Sequence, residues 1–156
     1  MNFSGDPIHY RYINKLTWSV YSSEFKPVQE LFRTFCLTLN AAHGCLDVAE
    51  RFDVRLHKKV GDRIEKNTGS ILSYLPGLFR DNFFTEDYES CLNLQEVPSE
   101  IRVDESEGGF FMENNFANEN LEYSEGESSL IKTLGECYFH VAGTFDFNKK
   151  SPIKWQ

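Results

Sequence analysis

Cations are nearly missing from the middle of the chain. Between Glu86 and Glu127 thirteen Asp and Glu side chains face a single Arg, Arg102. That scarcity argues against nucleic acid as a direct ligand, because binding phosphate needs clustered Lys and Arg. Long apolar runs are missing too, so nothing approaches the length that spans a bilayer. The opening "MNFSGDPIHYRY" lacks both the basic n-region and the apolar h-region of a targeting peptide, and the expected location is the cytoplasm. Cys36, Cys45, Cys91 and Cys137 include no C-x-x-C, which leaves no zinc ribbon or redox motif; four buried thiols behaving as small hydrophobes are expected. His9, His43, His57 and His140 form neither H-x-x-x-H nor H-E-x-x-H, there is no G-x-S-x-G, and no Gly-rich phosphate loop follows a strand. No catalytic residue, metal or cofactor is expected. The one arrangement with catalytic spacing is Asp6 with Glu24-Phe25-Lys26, a distant match to the Asp…Glu-x-Lys metal site of restriction-type nucleases. Asp6 lies near a terminus with little core to hold it.

What is present is a chain of 156 residues, the size of one globular domain, with fourteen Phe and seven Tyr, more aromatic surface than a disordered polymer carries. A single domain over residues 1–156 is expected. The net charge of −8 is unevenly spread: residues 1–85 carry 9 acidic and 11 basic side chains, residues 86–127 carry 13 and 1, and residues 128–156 carry 2 and 4. That asymmetry says more about partners than the total does.

Period-two apolar residues Leu16, Trp18 and Val20 predict a strand over Asn14–Ser22. From Pro27 to Ala42, Val28, Leu31, Phe32, Phe35, Cys36, Leu39 and Ala42 recur at helical spacing, with Gly44 as the stop and His43 as a C-terminal residue favoured by the helix dipole. Cys45–Leu56 is mixed and leans to strand, and the polar, basic His57–Ser70 reads as a surface connection. After the Pro76-Gly77 turn, Thr85 is placed to cap a short helix through about Leu94, with Phe84, Tyr88, Cys91 and Leu92 on one face. Ser99–Asn114 looks like a hairpin turning at Gly108-Gly109. Ser124-Glu125-Gly126-Glu127 fits a capping box ahead of a helix whose inner face is Leu130, Ile131, Leu134 and Tyr138, and the turn-rich C-terminal segment is expected to lie over the fold, anchored by Trp155. The fold class is α+β, an antiparallel sheet with helices packed on it.

Five of the thirteen acids have a local reason: Glu86, Asp87 and Glu89 after Thr85, and Glu125 and Glu127 after Ser124, stand where a helix dipole favours negative charge. The other eight, Glu96, Glu100, Asp104, Glu105, Glu107, Glu113, Glu119 and Glu122, have none. A calcium loop fails, because Asp104, Ser106 and Gly109 fit positions one, three and six, but Gly108 and Asn115 occupy five and twelve. Disorder is disfavoured by Phe110, Phe111, Phe116, Leu121 and Tyr123, threaded through the same stretch. Two readings remain: a solvated acidic face, which solubility alone favours, and an ordered surface that meets a basic protein.

At "LPGLFRDNFFTEDYESCL", Leu75 to Leu92, and at "LIKTLGECYFHV", Leu130 to Val141, the chain resembles the immunity proteins of bacterial type VI secretion and polymorphic toxin systems, of the TsiV-type and related families. The matching positions are Pro76, Gly77, Phe79, Asn82, Phe84 and Tyr88, then Leu134, Gly135, Tyr138 and Phe139; Arg80 stands where a second aromatic is expected. The resemblance implies a cytoplasmic protein without catalytic activity that binds and neutralises a cognate effector toxin, often a nuclease. Joined to the charge pattern, it makes Asp104, Glu105, Glu107, Glu113, Phe116, Glu119, Glu122 and Tyr123 the expected partner-binding residues. The alternative is an acidic regulatory adaptor or DNA mimic that inhibits another nucleic-acid enzyme, with a metal-dependent nuclease last.

Overall fold

A computed structural model describes residues 24–60, 63–66, 75, 77–115 and 121–139. The strand expected over Asn14–Ser22, Asp6, Pro76, Phe116, Glu119 and the segment holding Trp155 lie outside the described residues. The architecture is α+β. A four-stranded antiparallel sheet has the order β1-β4-β6-β5, formed by β1 (His43–Leu46), β4 (Asp81–Thr85), β5 (Arg102–Ser106) and β6 (Gly109–Glu113). A separate hairpin pairs β2 (His57–Val60) with β3 (Arg63–Lys66), where a surface connection is expected from sequence.

The sheet is covered on both sides, and its register explains how. Phe83 and Phe111 are cross-strand partners and face α1 (Phe25–Thr38), packing on Phe32 and Cys36. Phe84 pairs with Phe110 on the other face, where they join Met112 and the inner side of α3 (Glu125–Gly135), Leu130, Ile131 and Leu134. Because successive residues of β4 and β6 are covered on opposite faces, their apolar residues, Phe83 and Phe84 and then Phe110, Phe111 and Met112, stand next to one another instead of alternating with exposed polar ones.

α1 starts two residues before Pro27 and ends earlier than its apolar period suggests. Asn40 takes a left-handed conformation with φ of 48°, Ala41 N–H donates to Cys36 O at 2.9 Å, and Asn40 N–H to Leu37 O at 3.2 Å. This Schellman pattern stops the helix before His43. His43 and Gly44 therefore belong to β1, and the dipole role expected for His43 does not apply.

α2 (Ala49–Leu56) occupies a stretch that leans to strand from sequence. Its inward face is Arg51, Phe52 and Arg55, so charge stands where an apolar stripe would have announced a helix. Asp47 starts it, accepting from Val48 N–H at 2.8 Å and pairing with Arg51 one turn on.

The helix expected from Thr85 to Leu94 is instead a single 3-10 turn, Glu86–Tyr88, and the Thr85 side chain makes no cap. Asn93 pulls the chain away, giving its backbone N–H to Leu134 O at 3.3 Å and its side-chain amide to Thr133 O at 3.1 Å. The Ser124 capping box is present, and Tyr138 lies beyond α3 in a 3-10 turn, half-buried. Of the four thiols only Cys36 is buried; Cys45 and Cys91 are half-buried and Cys137 is exposed. Among the described residues no helix is long and apolar enough to cross a membrane.

Candidate functional site

The acidic stretch divides into a hairpin and a loop, and each is held by identifiable contacts. In the hairpin, Ser106 pairs with Gly109, so the turn is Glu107-Gly108, one residue earlier than the Gly-Gly pair suggests. Gly108 supplies the positive φ of 83° that the second turn position needs, while Gly109 serves a different purpose. A Cβ at Gly109 would lie 2.2 Å from Phe84 O, so only glycine lets β6 approach β4 there.

Register then sorts the acids into two groups. Thr85, Gly109 and Ser106 are neighbours across the sheet, which brings Glu86 and Asp87, just past Thr85, to the same end as Glu105 and Glu107. All four are exposed, and among the described residues none has a cationic partner. The dipole explanation for Glu86 and Asp87 lapses, because a three-residue 3-10 turn carries little macrodipole. Glu113 sits at the opposite end with Asp81 and Arg102, about 13 Å of strand away.

Asp104 is already satisfied. It points toward α1, where Arg33 donates to it at 2.8 Å, and Arg102 donates at 2.9 Å from its own strand. Burial alone would raise this carboxyl, but the hydrogen bonds from Arg102 and Arg33 outweigh it and hold the pKa below the usual carboxylate range. Arg33 also stacks 4.6 Å above the Phe111 ring.

Asp81 and Glu113 face each other on the α1 side of the sheet. Asp81 is buried, accepts one hydrogen bond from Gln29 Nε2 at 2.7 Å, and leaves Oδ2 without a partner. Burial pushes its pKa up to about 6; the Gln29 bond opposes that, and the nearby Glu113 charge adds to it. His43 is half-buried, with its ring beside Phe84 and Tyr88 at centroid distances of 5.4 and 6.4 Å and its Nε2 shielded from solvent, and desolvation lowers its pKa to about 4. A base that needs acid to ionise is neutral at physiological pH.

The loop is organised by one arginine. Arg55, 1 % exposed, donates from Nη2 to both carboxylate oxygens of Glu127 at 2.8 and 3.0 Å, and donates to the carbonyls of Leu78, Leu121 and Glu122. Its guanidinium lies 4.2 Å from the Tyr123 ring centre. Glu127 also accepts from Asn114 Nδ2 and from Ser124 N–H, each at 2.9 Å. Tyr123 is therefore held on its ring by Arg55 and at its hydroxyl by Leu78 N–H, 3.1 Å away; burial pushes its pKa up to about 12. Gly77 makes room for that hydroxyl, since a Cβ there would come within 2.4 Å of it. Neither Arg55 nor its role is visible from sequence, where α2 shows only a mixed pattern.

Six of the residues that carry the resemblance fall in the core. Phe79, Asn82, Phe84, Tyr88, Leu134 and Phe139 are buried, and Asn82 closes a tight turn by exchanging hydrogen bonds with the Phe79 backbone at 2.8 and 3.1 Å. Arg80 lies 3.7 Å over the Phe25 ring, so the position expected to be aromatic stacks on an aromatic. Glu24 and Lys26 flank the start of α1 on its exposed side. Among the described residues no group of three or more His, Cys, Asp or Glu is placed to hold a metal ion. Compared with protein families, curated proteins and solved structures, the chain finds no significant match.

Proposed function

We propose that the protein is an immunity protein, which binds and neutralises a cognate antibacterial effector toxin, a nuclease, without catalysis of its own. The observation that carries this reading is the sheet end where Glu105 and Glu107 of the β5–β6 hairpin and Glu86 and Asp87 of the adjoining 3-10 turn stand exposed, with no cationic partner among the described residues. A nuclease presents Lys and Arg to its DNA, and a fixed acidic surface complements that field, raising the association rate and rejecting acidic or neutral partners. Strand pairing places these carboxylates before any partner arrives, which lowers the entropic cost of association. The motifs at Leu75–Leu92 and Leu130–Val141 support the same assignment through their resemblance to that family.

The test uses the purified toxin encoded beside the protein's own gene. Charge reversal at Glu86, Glu105 and Glu107 together is expected to weaken binding at least tenfold, chiefly through slower association, with an unchanged circular dichroism spectrum. Unaltered affinity in that variant, or no binding by the wild type, sinks the proposal. Capture of a host nucleic-acid enzyme instead would move the reading to an acidic adaptor or DNA mimic.

A further inference from the structure

The loop from Leu121 to Tyr123 is unusual for an acidic surface segment, because its backbone faces inward onto a buried cation. Leu121 O accepts from Arg55 Nε at 3.2 Å and Glu122 O from Nη2 at 3.4 Å, while the Tyr123 ring covers the guanidinium. With the carbonyls turned in, Leu121 remains 37 % exposed and Glu122 exposed. Beside them opens a groove of about 480 Å³, lined by Val54 of α2 and by Leu121, Glu122 and Tyr123. Among the described residues its lining joins apolar surface of Val54, Leu121 and the Tyr123 ring to a larger share of polar surface, and the charged side chain among them, Glu122, has no cationic partner among the described residues.

We infer that this groove is a second contact for the effector, taking a Lys or Arg side chain whose stem lies on Val54 and Leu121 and whose cation meets Glu122, with Arg55 as the residue that positions the loop. The inference rests on the immunity reading and adds a site to it. Long cationic side chains suit such a groove because their methylenes cover apolar surface while the charged tip stays at the rim. Arg55 belongs to the basic part of the chain, yet it fixes the acidic part; its planar fork reaches two loop carbonyls and Glu127 at once, which a lysine ammonium does not.

Two measurements decide the matter. Glu-specific endoproteinase should cut the wild type slowly after Glu122 despite its exposure, and Arg55→Lys, still folded by near-ultraviolet circular dichroism, should be cut there at least tenfold faster. Binding of the neighbouring-gene toxin should weaken at least tenfold in Glu122→Lys, an exposed change that leaves the fold alone, and by a similar factor in Arg55→Lys. Rapid cleavage of the wild type, or an unchanged cleavage rate in folded Arg55→Lys, overturns the positioning role. Full affinity in Glu122→Lys while the hairpin reversals still weaken binding removes the groove and spares the immunity reading; absence of toxin binding to the wild type removes that reading itself.

Discussion

At the scale of single residues, the least comfortable group is the Asp81 carboxylate, buried between α1 and the sheet with one hydrogen bond and an acidic neighbour. Its folded pKa of about 6 lies above the ordinary value of 3.8, so the fold favours its protonated form. The stabilisation from that proton is complete below the ordinary pKa and is lost as pH rises through about 6. Asp81→Asn keeps an acceptor for Gln29 and offers Glu113 a donor, without a charge to desolvate. The variant is expected to be more stable than wild type at pH 7, by about 1–3 kcal/mol, with the difference vanishing near pH 4. Urea denaturation at the two pH values checks this; a wild type that is the more stable at pH 7 contradicts it. Residues such as Asp81 and Arg55 are invisible in the sequence because their properties come from burial by distant segments. Asp104 shows the converse, an acid that reads as free and is matched by Arg33 of α1.

At the scale of elements, legibility followed local chemistry. The capping box at Ser124 and the hairpin around Gly108 were readable because the determining residues lie within four positions of each other. α2 and the 3-10 turn at Glu86–Tyr88 were not, since the first buries arginines and the second is set by Asn93 reaching the far end of α3. Ser124 supplies half of the cap, accepting from Glu127 N–H at 3.1 Å, while Glu127 itself is locked by Arg55. Ser124→Ala should therefore cost about 1 kcal/mol and leave the denaturant slope unchanged, because the Glu127 half of the cap survives. A loss several times larger would mean that the hydroxyl, and not the ion pair, fixes the start of α3.

For the whole molecule, the distribution of charge outweighs its total of −8. The fold class and the acidic excess were legible in composition and periodicity; the division of that excess between two ends of a sheet was not, because strand register creates it. Exposed acids at the hairpin end act over roughly one Debye length, about 8–10 Å near physiological salt, whereas contacts inside a groove are screened far less. Raising the salt from about 0.05 to 0.5 M is expected to slow association with the toxin at least tenfold while changing dissociation much less. Stopped-flow mixing across that range measures both rates; a salt-independent association rate would leave the acidic end without a role in capture.

Arg55 and Glu127 come from stretches of opposite charge and meet where solvent does not reach. Two homologous genes that recombined anywhere between those codons would combine one parent's cation with the other's carboxylate. Unless both parents kept the same pairing, the chimera would inherit a lone charge in its interior and discard the shape of the Leu121–Tyr123 loop along with it. If the protein is an immunity protein, as proposed, exchange of toxin recognition between lineages would be confined to crossovers that carry both partners together.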